Sequence, residues 1–539
     1  MIAPDQSVRE QALDIARSFI VQAPAGSGKT ELLIQRYLAL LATVDEPEEV
    51  LAITFTRKAV AEMRKRVIEA LASAQGPKPQ SPHAALTWQL AKQALQSSQT
   101  RQWNLLNQPA RLKIMTIDAL NGVLVRSMPL LSRLGTDAML VENAQQLYEE
   151  AAWQALKSQA GAPALQTLLL HLDNNDRKVV QMLCRLLARR DQWLPHLVPL
   201  RGDGYSLEEK RERLTAMFQE VVDEELARAH ADIPDDIGQQ MVRIAATGAS
   251  QLYAEGKLDK PHVCCRELKT LPAAEFDQAG VWKGLASLFL TANGDWRSAR
   301  SFNRTLGFSP GHDLKPAIEQ LQEILQKKEN LRINFNKIKN IPEVIYLDEQ
   351  WSVLAALIDI LPLAVAELRL VFRRRGAVDF VEQSLAAIMS LGEAGEVTDL
   401  AMKLDYRLQH ILMDEFQDTS HSQFGLLEKL LDGWQPDDGR SLFLVGDPMQ
   451  SIYGFREADV SGFLKVRDHG IAAIRPESLA LSANFRSTPQ LMDWFNDVFP
   501  DVLSSEDNLS LGAVRYSEAV SAREAVAASG VTVHAALDR

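Results

Sequence analysis

The segment Ser18-Phe19-Ile20-Val21 leads into Ala23-Pro24-Ala25-Gly26-Ser27-Gly28-Lys29-Thr30, and a helical pattern starts at once. A short apolar strand, a glycine-bearing turn and a helix in immediate succession leave few folds open. The arrangement is that of a phosphate-binding loop in the context it requires. Its glycines let backbone N–H groups turn inward and cradle phosphate oxygens, and the helix N-terminus adds partial positive charge. Lys29 is expected to reach the β- and γ-phosphates of a nucleotide, with the Thr30 hydroxyl on a magnesium ion. Ala23 takes the first loop position in place of glycine, a small departure.

Apolar runs at 50–54, 113–117, 410–413 and 441–445 read as strands beside 18–23, and helical patterns occur at 31–42 and 58–72. Strand–helix alternation predicts an α/β fold with a parallel sheet flanked by helices. The run His410-Ile411-Leu412-Met413 delivers Asp414-Glu415, then Gln417 and Asp418. Acids at the carboxyl end of a strand in an open α/β sheet lie where such sheets bind ligands. With the phosphate loop they make a nucleotide–magnesium site, in which Asp414 holds the metal and Glu415 positions or deprotonates the attacking water. Taken alone, the same acids also fit a solvated strand end.

At 539 residues, two to four domains are expected. The net charge of −12 does not suggest a nucleic-acid binder, although a local basic groove is enough for one. Cys184, Cys264 and Cys265 have no metal-ligand spacing and no disulfide framework, which fits a reducing cytoplasm. The N-terminus lacks the basic and apolar regions of a signal peptide. The longest apolar stretch, 354–370, is broken by Asp359, Pro362 and Glu367, so no membrane partner is expected. The long middle, 143–372, is helical in pattern, and its basic clusters read as solvated faces.

Further motifs surround the two halves of the site. Ile53-Thr54-Phe55-Thr56-Arg57-Lys58-Ala59 ends a strand and begins a basic helix. An aromatic beside hydroxyls and cations suits single-stranded nucleic acid, with stacking on Phe55 and phosphate contacts from Thr54, Thr56 and Arg57. Such a phenylalanine, taken alone, is more often core. After the acids come Gly446-Asp447-Pro448-Met449-Gln450-Ser451-Ile452-Tyr453-Gly454-Phe455-Arg456 and then Asn484-Phe485-Arg486-Ser487. With Thr116-Ile117-Asp118-Ala119, the ordered set resembles the UvrD/Rep class of superfamily 1 DNA helicases, in particular the branch of RecB and AddA.

The resemblance implies a RecA-like P-loop NTPase sheet at 1–135 and 373–476, a large inserted helical domain at 136–372, and the start of a second RecA-like lobe at 477–539. It implies ATP and Mg2+ as cofactors. It also implies an ATP-dependent helicase or translocase, of 3′-to-5′ polarity, on single-stranded or partly duplex DNA in repair or recombination. Further subunits of a helicase–nuclease complex would be partners. Gln450 would sense the γ-phosphate and link it to the DNA groove. Phe485 would stack on adenine, and Arg486 would stabilise charge on the γ-phosphate. Phe55, Tyr453, Phe455 and Arg456 would lie along the strand, although Tyr453 and Phe455 also fit core packing and Asn484 a turn. Val378-Asp379-Phe380 resembles a small motif that precedes the acid strand in the RecB/AddA branch.

Three departures stand out. Relatives carry an adenine-reading Gln about twenty residues before the loop lysine, and neither Gln6 nor Gln11 fits that position without a gap. Glu31 follows Thr30 where several relatives have Arg. After Ser487 no candidate for later motifs is found, so the chain reads as the front part of a longer enzyme, weakly active alone or completed by other domains or subunits.

Overall fold

A computed structural model of the chain describes residues 3–132, 138–197, 207–341, 348–392, 398–451, 460–503 and 514–523. Six short strands form one sheet: β1 (Phe19–Gln22), β2 (Val50–Thr54), β3 (Lys113–Thr116), β4 (His410–Met413), β5 (Ser441–Gly446) and β6 (Glu477–Ala480). Their spatial order is β3-β2-β4-β5-β1-β6, and every pair is parallel.

The inner strands are apolar on both faces because helices cover both. Successive side chains point to opposite faces. Phe19 and Val21 therefore join Ala52, Leu412, Phe443 and Val445 in one layer, beneath helices α2 (Lys29–Leu41) and α3 (Arg57–Ser73). Ile20 joins Ile53, Ile411, Met413 and Leu444 in the other, against α4 (Ile117–Ser127), α5 (Phe380–Ser390) and α6 (His421–Leu430). Each such Leu, Ile or Phe side chain stabilises the layer by about 1.5–3 kcal/mol. A short helix, α1 (Gln6–Ala12), precedes β1.

Strand β6 has no apolar run to announce it. It is an edge strand, and only Leu479 of its four residues is buried. It pairs with β1 from Phe19↔Glu477 to Gln22↔Ala480, so the residues from 477 onward begin inside the first sheet.

Because the strands are parallel, their carboxyl ends open on one edge. Thr54 and Thr116 end β2 and β3 there, and the phosphate loop, Asp414 and Asp447 follow directly from β1, β4 and β5.

The chain divides into two compact units. One comprises 1–160, 175–196 and 361–539 and contains the sheet; the other comprises 161–174 and 197–360 and is helical. The helical unit has its own core around Trp282, Phe289, Phe308 and Phe335. There the Trp282 and Phe335 rings meet edge to face, with centroids 6.2 Å apart. Its basic residue Lys337 pairs with Glu225 at 3.4 Å.

In the sheet unit, Arg374 and Arg375 pair with Glu150, as solvated faces do. Arg190 is fully buried there and forks onto Asp379, with nitrogen–oxygen distances of 2.6 and 2.8 Å, while Tyr148 donates to the same carboxylate. Asp379 also caps α5 through the Glu382 N–H. Removing one partner of such a buried pair costs about 3–5 kcal/mol. The Val378-Asp379-Phe380 motif is thus anchored through the buried ion pair and hydrogen bonds of Asp379. Among the described residues, no helix is long and apolar enough to cross a membrane.

Candidate nucleotide-binding site

The loop leaves β1 with the Ala23 N–H donating to Gly446 O at 2.8 Å, which seats it over β5. Gly26 and Gly28 both take φ of +80°, the left-handed region that favours glycine, and Gly28 caps α2. Gly26 has a second reason to lack a side chain. A Cβ there would lie 2.9 Å from Asn484 Oδ1, too close to fit. Lys29 and Thr30 form the first turn of α2, where N–H groups have no intrahelical acceptor.

Lys29 Nζ pairs with Glu415 Oε2 at 2.8 Å, joining the loop to the acid strand. Glu415 itself has φ of +53°, a left-handed conformation uncommon for a residue with a side chain. Asp414 is buried at the end of β4, its N–H bonded to Ile53 O at 2.9 Å. Burial, then the adjacent Glu415 charge, push its carboxyl up to about 6. Asp418 is pushed up to about 6 for the same two reasons.

Gln417 ties these acids to β5. Its Nε2 donates to Glu415 Oε2 at 2.9 Å and to Asp418 Oδ2 at 3.2 Å, and its Oε1 accepts the Asp447 N–H at 2.9 Å. Gln450 Nε2 donates to the buried Asp447 carboxylate, so Gln417 and Gln450 meet at one residue.

Asp414 with the Thr30 hydroxyl offers hard oxygen ligands, and a divalent cation would relieve the cost of a buried, crowded Asp414 charge. Among the described residues no three His, Cys, Asp or Glu side chains gather as a metal cage.

The far wall is built by hydrogen bonds to the loop. Asn484 Nδ2 donates to Ala25 O at 2.8 Å, and the Phe485 N–H donates to Gly26 O at 2.8 Å. Asn484 Oδ1 accepts the N–H groups of Arg486 and Ser487 at 2.9 and 2.8 Å, which makes it the turn residue that its type suggests. Phe485 is 46% exposed, too open for a core role. Arg486 is exposed on the same wall.

A model of the UvrD/REP helicase N-terminal domain matches residues 5–470. The chain belongs to that family. It is similar to three proteins described as subunits of an ATP-dependent helicase/nuclease. The one from Lysinibacillus sphaericus is 27% identical over 91% of this chain and 40% of its own length. The Desulfitobacterium hafniense protein is 25% identical over 96% and 37%, and the Pelotomaculum thermopropionicum protein 27% over 90% and 37%. The chain thus spans about two fifths of the length of these curated relatives.

In this UvrD/REP-type chain the structure brings together most of the residues singled out by sequence. Ala23, Pro24, Ala25, Gly26, Ser27, Gly28, Lys29, Asp414, Glu415, Gln450 and Phe485 join one network around the loop. Thr54 is buried with its hydroxyl on Thr56 O at 3.3 Å, and Thr56 caps α3 through the Ala59 N–H. Arg57 is exposed at the start of that helix. Phe55 is half-buried and lines a cavity of about 400 Å³ with Asp118, Tyr148, Asp379, Phe380 and Gln423. Tyr453, Phe455 and Arg456 lie outside the described residues.

Sequence reasoning missed Asp5 and Arg9. Arg9 Nη2 donates to Ser27 O at 2.6 Å, Nε and Nη2 fork onto Asp5, and the guanidinium carbon lies 5.2 Å from the Phe485 ring centre. Their only signal is an acid and a cation four apart, spacing common on any helix. Gln6 bonds Glu10, and Gln11 donates to Glu477 at 2.6 Å, so both are engaged elsewhere.

Proposed function

We propose that the chain is the nucleotide-hydrolysing portion of an ATP-dependent DNA helicase or translocase, moving 3′-to-5′ on single-stranded DNA in repair or recombination. The observation that carries this is the 2.8 Å pair between Lys29 and Glu415 in a member of a helicase family. It supports reading Glu415 as the water-handling acid beside the phosphate loop.

In this reading the N–H groups of 26–30 cradle the phosphates, and Lys29 exchanges Glu415 for β- and γ-phosphate oxygens. The released Glu415 carboxylate stays hydrogen-bonded to Gln417, orients the attacking water and takes its proton. Thr30 and Asp414 would hold the magnesium ion, whose chemistry when bound is to neutralise charge on phosphate oxygens. Arg486 stabilises the charge that develops on the γ-phosphate, and Phe485 is the platform for the base. Gln450 follows the γ-phosphate through Asp447 and Gln417. We read 481–523 as the beginning of the opposite wall of the nucleotide cleft.

DNA would run past Thr54, Phe55, Thr56 and Arg57, at the same sheet edge as the nucleotide. The names of the relatives support further subunits of a helicase–nuclease complex as partners.

ATP turnover with and without a single-stranded oligonucleotide tests the reading. Stimulation by the oligonucleotide is expected; equal rates at a saturating concentration would refute the coupling. Phe55→Ala should weaken single-strand binding by about 1–3 kcal/mol if a base stacks there. Titration of a labelled oligonucleotide measures it.

A further inference from the structure

We infer that a groove in the sheet unit, at the opposite ends of the strands from the nucleotide site, is a docking site for an acidic amphipathic helix of another polypeptide. The inference does not depend on the nucleotide reading. The groove holds a cavity of about 800 Å³. Leu51 of β2 and Met115 of β3 line its floor. Glu48, Glu49 and Arg111, which precede those strands, also line it and place it at their amino ends.

Two helices wall the groove. α4 contributes Leu120, Val123, Leu124 and Ser127, and the helix Asp399–Arg407 contributes Leu400, Lys403, Leu404 and Arg407. Each set has the i, i+3, i+4, i+7 spacing of one helix face. Leu120 and Leu124 are buried, whereas Val123 is 45% exposed. An apolar trough between two helices suits the apolar face of a third. Strand addition at β3, the edge strand beside it, is opposed by Arg64, whose Nη2 already occupies the Ile114 carbonyl at 2.6 Å.

The charges select the sign of the partner. The acids of the lining are engaged within the chain. Glu46 and Glu48 accept Arg111 at 2.5 and 2.8 Å, and Glu49 accepts the N–H groups of Asp45 and Glu46 at 3.2 Å each. Asp405, between the two cations of the wall, pairs instead with Arg440 at 2.6 Å. Among the described residues, Lys403 and Arg407 have no carboxylate partner, and both are exposed. They stand four apart on one face beside the trough. Carboxylates one turn apart on a docked helix would meet them.

The test is titration of the 539-residue chain with a labelled synthetic helix of about fourteen residues, with leucine at i, i+3, i+4 and i+7 and glutamate on the flanks, and with its lysine counterpart. The glutamate peptide should bind at least roughly tenfold more tightly, by a margin that shrinks as salt is raised. Val123→Arg, at an exposed position, should remove binding of both peptides. Lys403→Glu combined with Arg407→Glu should reverse their order. Equal binding of the two peptides to the unaltered chain, an arm that needs no variant, would overturn the inference. So would binding of neither peptide, or binding that survives Val123→Arg. A dimer of the chain that Val123→Arg dissolves would give the groove to a second copy and overturn it as well.

Discussion

The phosphate end of the site takes its residues from three neighbouring strands, whereas the base end takes them from opposite ends of the chain. At the phosphate end, β4, β5 and β1 lie side by side and deliver Asp414-Glu415, Asp447 and the glycine loop to one edge. At the base end, Asp5 and Arg9 of the N-terminal segment meet Ser482, Ala483 and Phe485. The first end is positioned by the sheet itself. The second depends on one carboxylate that gathers four N–H groups. Substitutions at the phosphate end should therefore change chemistry while the fold stands, and substitutions at the base end should change local order first.

The largest expected effect is at Glu415. Glu415→Gln should lower ATP turnover by roughly 10²–10⁴-fold while nucleotide binding persists, because only the base is lost. A variant that hydrolyses ATP at the unaltered rate would remove Glu415 from the chemistry. Lys29→Ala should cost roughly 10²–10³-fold in turnover and, unlike the first variant, most of the nucleotide affinity. Calorimetry with a non-hydrolysable analogue separates the pair, and unchanged affinity would break the phosphate assignment.

Asp5→Ala tests the other end. It leaves Arg9 and the N–H groups of Ser482 and Ala483 without their acceptor, and should destabilise the sheet unit by about 1–3 kcal/mol. Denaturant unfolding would show it, and no loss would mean that the N-terminal segment is not fastened to the far wall.

The smallest effect is the opposite response of the two ends to pH. Asp414 and Asp418 sit near 6, above their ordinary value of 3.8. Folded carboxyls that hold protons after the unfolded chain has released them stabilise fully below about pH 4, and lose that contribution as pH rises through about 6. Burial alone would raise Asp5, but the Arg9 hydrogen bond and the N–H groups of Ala483 and Ser482 bring it below its ordinary value. Its contribution is present above 3.8 and fades as pH falls through its lowered value. Melting curves of Asp414→Asn and Asp5→Asn against the unaltered chain should diverge in opposite directions. Parallel curves would show that the two ends do not differ in charge environment.

Legibility followed the same division. The phosphate end could be read because each of its residues belongs to a contiguous motif, and because apolar runs mark β1, β2, β4 and β5. Parallel geometry then brings their carboxyl ends to a common edge. Strand β6 could not be read, since an edge strand with one buried side chain has no apolar pattern. Asp5 and Arg9 could not be read either, because α1 is short and ordinary in composition. Phe55 could be read either as core or as a stacking surface, and in the structure it is half-buried and lines a cavity.

The sequence by itself determined the fold class, the glycine loop after the first strand and the acids that face it. These depend on local pattern: glycine where φ is positive, apolar residues where a strand is covered on both faces, and acids directly after a strand. Only the tertiary structure decided that Lys29 reaches Glu415, that Asn484 closes on Gly26, and that Arg9 lies over Phe485. Those contacts join residues hundreds of positions apart. They are part-buried hydrogen bonds and, for Arg9 over Phe485, a cation–ring contact, which no local pattern encodes.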